Sequence, residues 1–227
     1  MTHLVLFDID GTLVRSPAGP AAFTAAGRDV FGDAFSLDGV VLSGWLDPLI
    51  LDEALRLSGL PVDDDDNKAL FWERYPSRIR AHLDEQPDDV RLLQGALDAV
   101  QAAVEQNHVH LGLVTGNHEP VGWTKLAHVD IDATPFVYNG FGNEARERHA
   151  LVTLARSRAS TALEREVQHV LVVGDTPRDV EAAHAVGAEC LAVSTGRYDA
   201  DALRDAGANH VVDGLDDVAF LLEWMQR

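Results

Sequence analysis

The chain has 227 residues, 46% apolar and 24% charged, with 18 glycines and 9 prolines; this excludes a disordered or collagen-like chain and allows one larger domain, or a main domain with a smaller one inserted. A formal charge of −19 argues against non-specific attraction to nucleic acid or an anionic membrane, since both reward lysine and arginine, and neither is expected as a partner. The single cysteine, Cys190, excludes an internal disulfide; with no apolar run near the ~18 residues of a membrane span and no basic, then apolar, opening segment, the expectation is a cytoplasmic protein with Cys190 filling the core.

In chain order, "HLVLFDID" at 3 to 10 is the first apolar run that reads as a buried strand with a polar end. From about 15 to about 90 the pattern changes. There "PAAFTAAGRDVFG", "LDPLILDEALRLSG" and "NKALFWERYPSRIRAHL" place apolar residues at helical spacing with no convincing strand between them, which predicts a helical insert. The run "DDDD" at 63 to 66 precedes the third of these, where acids favour a helix N-terminus; it lacks the alternating ligands and glycine of a calcium loop.

The sheet is expected to resume near Val90, with "GALDAVQAAVEQ" as the first helix on return. Strands follow at "VHLGLVTGN" (109 to 117), "HVLVVGDT" (169 to 176), "ECLAVSTG" (189 to 196) and, more weakly, "NHVVDGL" (209 to 215). The helical patterns "ARERHALVTLARSRAS", "TPRDVEAAHAVGA" and "DADALRDAGA" separate the later ones. Strand and helix alternating in this way predict an α/β fold: a Rossmann-like parallel sheet covered by helices on both faces, built from residues 1–14 and 90–227, with residues 15–89 as an inserted all-helical domain.

The chemistry concentrates where the strands end. In "DIDGT", Asp8 and Asp10 are two residues apart, so in an extended strand they point to one side, and Gly11 lets the chain turn just beyond them. Open α/β sheets bind ligands at this carboxyl edge. Two carboxylates meeting there suit a hard divalent cation, Mg²⁺ first, unless Asp10 and Gly11 form a plain turn with Asp8 as a cap. "LVTGN" ends in Thr115, Gly116 and Asn117, a hydroxyl and backbone N–H groups near a helix start, which could seat phosphate oxygens. "VVGDTPRDVEAA" puts Asp175 at a third strand end and Asp179 in the first turn of the next helix. Asp175 could complete a metal site that Asp179 orients, or both could cap the helix.

"DIDGT", "VTGN" and "GDTPRDVEAA", in this order and separation, resemble the first, second and fourth motifs of the haloacid dehalogenase-like hydrolase superfamily, and phosphoglycolate-phosphatase-like members in particular. The likeness spans nearly the whole chain, the helical insert resembling that superfamily's cap domain. It implies a Mg²⁺-dependent phosphatase acting on a small phosphorylated metabolite. Asp8 would be the nucleophile that forms an aspartyl-phosphate, and Asp10 the general acid and then the base. Mg²⁺ would be held by Asp8, Asp175 and the backbone carbonyl of Asp10, with Asp179 behind it. Thr115 would bind phosphoryl oxygens with the backbone N–H groups around Gly11, Thr12 and Gly116, beside Asn117.

The family's third motif is commonly a lysine. The segment "YNGFGNEARERHALVTLA" has none, but some relatives carry an arginine in a similar Gly-Phe-Gly context, and by that likeness Arg148 is chosen, with Arg146 and Lys125 as rivals. "LSGWLDPLI" at 42 to 50 resembles the cap segment over the active site, with Asp47 in register and Leu46 where a threonine is common. A dehalogenase would not need Asp10; a β-phosphoglucomutase-like mutase would keep the same aspartates, and an inactive binding protein should have lost one. Elsewhere, His108 and His110 lack further zinc ligands at a recognisable spacing, "HEP" at 118 to 120 is not a zinc signature, and Trp45, Trp72 and Trp123 read as core before substrate contacts. Oligomeric state has no signal in the sequence.

Overall fold

The computed structural model describes residues 2–227; Met1, where the first expected core segment starts, lies outside them. The chain opens with strand β1 (His3–Phe7) and a two-residue strand β2 (Val14–Arg15), followed by helices α1 (Ala18–Phe31), α2 (Asp47–Leu57) and α3 (Asp65–Glu85). After a second short strand, β3 (Arg91–Leu92), come α4 (Ala96–Val104), β4 (Val109–Thr115), α5 (Glu119–His128) and β5 (Gly140–Phe141). The remainder is α6 (Arg148–Ala162), β6 (His169–Gly174), α7 (Pro177–Ala185), β7 (Glu189–Val193), α8 (Ala200–Asp205), β8 (His210–Val212) and α9 (Ala219–Met225).

Six strands form one sheet in the order β5-β4-β1-β6-β7-β8, every pairing parallel. A parallel sheet must be covered on both faces, which is why its strands read as continuous apolar runs. In β1 the alternation splits the core: Val5 and Phe7 join the cluster that includes Val100 of α4 and Trp224 of α9, while Leu4 and Leu6 pack with Leu151 and Val152 of α6 and Val180 of α7. Cys190 lies fully buried in the second cluster, as core filler.

The order of the strands places the functional end. The chain moves from β1 to β4 on one side, then crosses to β6 on the other, so the crevice beyond the carboxyl ends of β4, β1 and β6 is a topological switch point. Phe7 pairs with both Leu113 and Val173, which puts Asp8 level with Val114 and Gly174 and brings Thr115 and Asp175 to the same edge.

The helical stretch expected between the first two main strands forms as α1, α2 and α3, and the expected order of the later elements is also seen. Asp64 caps α3, accepting from the Asn67 N–H at 3.1 Å, with Asp65 and Asp66 in its first turn, so the acidic run works as helix N-terminal chemistry. Four elements were not anticipated. β2 and β3, antiparallel to each other, and β5 are two residues long, too short to show a period of two. α9 is a seven-residue helix, too short for its helical period to stand out.

α1 and α3 are held together by an aromatic cluster in which Phe71 meets Phe23 at 4.7 Å between ring centroids, Trp72 at 4.8 Å and Tyr75 at 5.7 Å. Because Phe71 is fully buried at the centre of this cluster, Phe71→Ala should cost about 3–5 kcal/mol of stability. Urea denaturation checks this, and a loss below about 1 kcal/mol would mean that the cluster does not carry the packing of these helices.

Candidate active site

The chain turns sharply after β1. Gly11 has φ +81°, and its N–H donates to the Val14 carbonyl at 2.8 Å, while the Thr12 and Leu13 N–H groups return to the Ile9 carbonyl at 3.3 and 2.9 Å. This corrects one sequence expectation: the amides of Gly11 and Thr12 close the turn, so they are committed to the backbone and not presented to a phosphate. Only glycine serves at position 11, since a Cβ there would overlap the Asp175 carboxylate, and one at Gly196 would do the same. The two glycines form a close-fitting cradle around Asp175.

Beyond the turn, Asp8, Asp10, Thr115, Gly116, Asn117, Asp47, Asp175, Arg148 and Lys125 all line one cleft of about 200 Å³. Arg148, at the start of α6, reaches Asp8 Oδ2 at 2.8 Å and Asp179 Oδ1 at 2.6 Å through the same terminal nitrogen. It is therefore the cation beside Asp8. Arg146 pairs instead with Asp52 at 2.6 Å on the exposed side of the chain. Lys125, on α5, donates to Asp10 Oδ2 at 2.6 Å and to Asn117 Oδ1 at 2.6 Å. Both remaining candidates thus sit in the site, on different acids.

Asp179 is fully used as a brace. Its Oδ1 accepts from Arg148, and its Oδ2 accepts from the Thr176 hydroxyl at 2.7 Å and from the Thr176 N–H at 3.0 Å, the latter being one half of a capping box at the start of α7 whose other half is the Thr176 side chain accepting from the Asp179 N–H. Asp175 keeps a buried Oδ1 without a hydrogen-bond partner, as do Asp10 through its Oδ1 and Thr12 through its hydroxyl. Ligand atoms of Asp8, Asp175 and Asp179 all lie within 4.8 Å of one another, the one cluster of histidine, cysteine and acidic side chains among the described residues with metal-binding proximity. An oxygen-only donor set of this kind fits a hard divalent ion, and the orphaned Asp175 oxygen is the atom with capacity to spare.

Crowding acids in a buried place shows in their protonation. Burial pushes Asp8 up to about 6, with Arg148 pulling it down and Asp179 and Asp10 raising it further. Asp175 rises to about 9, again chiefly through burial, then through Asp179 and Asp8. A cation among them would act in the opposite direction.

Asp47 comes from the first turn of α2. Its Oδ2 accepts from the His118 N–H at 2.7 Å, and its own N–H donates to the Gly116 carbonyl at 2.8 Å, so the residues before α2 are fastened to the Thr115–Asn117 loop. A Cβ at Gly116 would overlap the Trp45 carbonyl, which explains glycine in "TGN" by this close approach. Trp45 also lines the cleft, and the Arg178 guanidinium lies 5.0 Å from its ring. Trp72 stacks on His118, and Trp123 meets Phe141 edge to face, both as packing. His108 bonds the Met225 carbonyl at 2.7 Å and holds no metal cluster with His110 among the described residues.

Asn117, named from the sequence beside the expected phosphate seat, links three side chains, since its amide donates to Asp10 Oδ2 and Thr115 Oγ1, each at 2.8 Å, and accepts from Lys125. The sequence reading missed two contributors, Tyr75 of α3 and Ser16, which also line the cleft. Neither carried a signal; Tyr75 has the spacing of a core residue.

A family model described as HAD-hydrolase-like matches residues 148–218. Phosphoglycolate phosphatase of Rhodospirillum rubrum is 28% identical over 99% of this chain and 91% of its own length. In shape the chain is similar to a family IA, variant 3 HAD hydrolase from Entamoeba histolytica, with a TM-score of 0.71, 18% identity and 100% of each chain covered. A hydrolase from Pseudomonas syringae gives 0.68, 20% identity and 98% of each. Strand-end aspartates gathered at the switch point of a parallel sheet go with these matches, and in fold and in its C-terminal half the chain is similar to haloacid dehalogenase-like hydrolases. No helix among the described residues is long and apolar enough to cross a membrane.

Asp47 yields a pH prediction. Burial lifts its carboxyl to about 7 against an ordinary value of 3.8, with Lys125 and the His118 N–H pulling it down and Asp10 adding to the rise. The folded chain then holds a proton that the unfolded chain releases, so this contribution to stability is complete below 3.8 and is lost as pH rises through about 7. Asp47→Asn keeps an acceptor for the His118 N–H and removes that loss. Its urea midpoint relative to the parent should climb from about pH 4 to about pH 8; a pH-independent difference would count against a buried, proton-binding Asp47.

Proposed function

We propose that the protein hydrolyses a small phosphomonoester through a phosphoaspartate on Asp8. The observation that carries this reading is the placement of Asp8 at the carboxyl edge of β1, with Arg148 at 2.8 Å and with Asp10, Thr115 and Asp175 around the same cleft. A carboxylate can attack phosphorus without a separate base, provided that the charge it meets is neutralised. Arg148 supplies one such charge and, being buried between Asp8 and Asp179, stays protonated and fixed in place.

Asp8 forms the new bond to phosphorus while the bond to the ester oxygen breaks, and Asp10 gives that oxygen a proton. Asp10 then takes a proton from water, which attacks the phosphoaspartate and releases inorganic phosphate and free Asp8. Thr115, through its hydroxyl, holds the phosphoryl oxygens, and Asp179 keeps Arg148 and the start of α7 in register. Asp8 and Asp175, with the backbone carbonyl of Asp10, would hold Mg²⁺, which supplies the remaining charge neutralisation when bound.

Residues 15–89 serve as a cap in this reading. Ser16, Phe23, Leu42, Trp45 and Tyr75 form the wall of the cleft facing the aspartates, so the group leaving the phosphate is selected there. A cleft of about 200 Å³ suits a small metabolite and is below the range typical for larger ligands.

A screen of small phosphorylated metabolites with and without Mg²⁺, read as inorganic phosphate beside any interconversion of sugar-phosphate isomers, tests this. Phosphate release should require the metal, and Asp8→Asn should lower it by at least about 10³-fold while leaving the thermal melt in place. Unimpaired turnover in Asp8→Asn would remove Asp8 from its role, and isomer interconversion without phosphate release would replace hydrolysis by a mutase reaction.

A further inference from the structure

One buried charge of the cleft has no part in the phosphoryl transfer described above. Lys125 is only 3% exposed, and its Nζ donates to Asp10 Oδ2 at 2.6 Å. It also donates to Asn117 Oδ1 at 2.6 Å. The Asn117 amide in turn donates to the same Asp10 oxygen and to Thr115 Oγ1, each at 2.8 Å. Asp10 Oδ2 is therefore held by two donors from one stretch more than 100 residues further along the chain, and one of them also grips the hydroxyl assigned to the phosphoryl oxygens.

Enclosing an ammonium is costly unless it is paired. The chain also makes space for it: a Cβ at Gly19 of α1 would stand 3.3 Å from Lys125 Nζ, tighter than ordinary contact. The two buried cations divide the acids between them, with Arg148 on Asp8 and Asp179 and Lys125 on Asp10.

A general acid works only within hydrogen-bond reach of the atom it protonates, and misplacement by about 1 Å can cost 10²-fold in rate. Asp10 stands outside the strand, where the sheet no longer restrains it, and its side chain is 41% exposed. We infer that Lys125 is the positioning residue of Asp10: together with Asn117 it pins the Asp10 carboxyl at a fixed place relative to Thr115, so that it meets the leaving oxygen of an ester seated there. This rests on the reading of Asp10 as proton donor. In the step concerned the phosphorus–oxygen bond breaks, its electron pair stays on the leaving oxygen and the proton comes from Asp10; Lys125 exchanges no proton.

The test compares kcat/KM of the parent enzyme and Lys125→Met along a series of phosphomonoesters. The series runs from 4-nitrophenyl phosphate, whose leaving group needs no proton, to phenyl and simple alkyl phosphates, whose leaving groups do. Lys125→Met should lose roughly 10²-fold on the alkyl esters and less than about 3-fold on the nitrophenyl ester. In an Asp10→Asn background the same change should lower the alkyl-ester rate no further. Lys125→Gln, which keeps a donor without the charge, is carried in parallel with thermal melts and should fall between parent and Met; whichever variant folds is read. An equal loss along the whole series, or losses that multiply in the double variant, would overturn the assignment in favour of a structural role. A parent enzyme inert toward every ester would sink the phosphatase reading itself, whereas an active parent with an unchanged leaving-group dependence in the variants sinks only the role of Lys125.

Discussion

The arrangement depends on compensating negative charge out of water. Asp8, Asp47, Asp175 and Asp179 are buried, Asp10 lies at their edge, and within the cleft only Arg148 and Lys125 answer them. Each cation bridges rather than pairs: Arg148 joins two acids through one guanidinium, and Lys125 joins Asp10 to Asn117. Burial displaces Asp8, Asp47 and Asp175 upward, and with two positive charges among five acids the neighbouring carboxylates add to the rise. A site with this imbalance is suited to gaining a divalent cation and an electrophilic phosphoryl group, since both act against the repulsion that folding imposes. Buried ion pairs are weak contributors to stability, and here their value lies in fixing which atom faces which.

The parallel sheet brings these charges together. β1 sits at its centre, paired on both sides, and the two registers put Asp8, Thr115 and Asp175 at one edge although their strands are far apart in the chain. Crossing from β4 to β6 opens the crevice between them. Glycine is required where backbones or carboxylates approach closely: Gly11 and Gly196 against Asp175, and Gly116 against the Trp45 carbonyl. The same contact joins the two parts of the chain, because Asp47 is hydrogen-bonded to both ends of the Gly116–His118 segment. The residues that would choose a leaving group are thereby tied to the loop that would hold the phosphate.

What the sequence by itself determined is what lies within a few residues. The period of two puts Asp8 and Asp10 on one side; apolar runs followed by Thr115 and Asp175 mark strand ends; Asp179 falls in the first turn of the helix that follows, and the helical spacing from about 15 to 90 announces α1, α2 and α3. Two-residue strands escape such a reading, because a period cannot be seen in a single step. The tertiary structure alone decided how these pieces pair across space: Arg148 over Arg146 beside Asp8, Lys125 on Asp10, Asp47 on the His118 N–H, and Tyr75 facing the cleft. It also committed the Gly11 and Thr12 amides to closing the turn. The physical reason is that local spacing fixes the direction of a side chain relative to its own backbone, whereas the partner of a buried charge depends on distance across the packed core, and that distance exists only once sheet order and helix packing are in place.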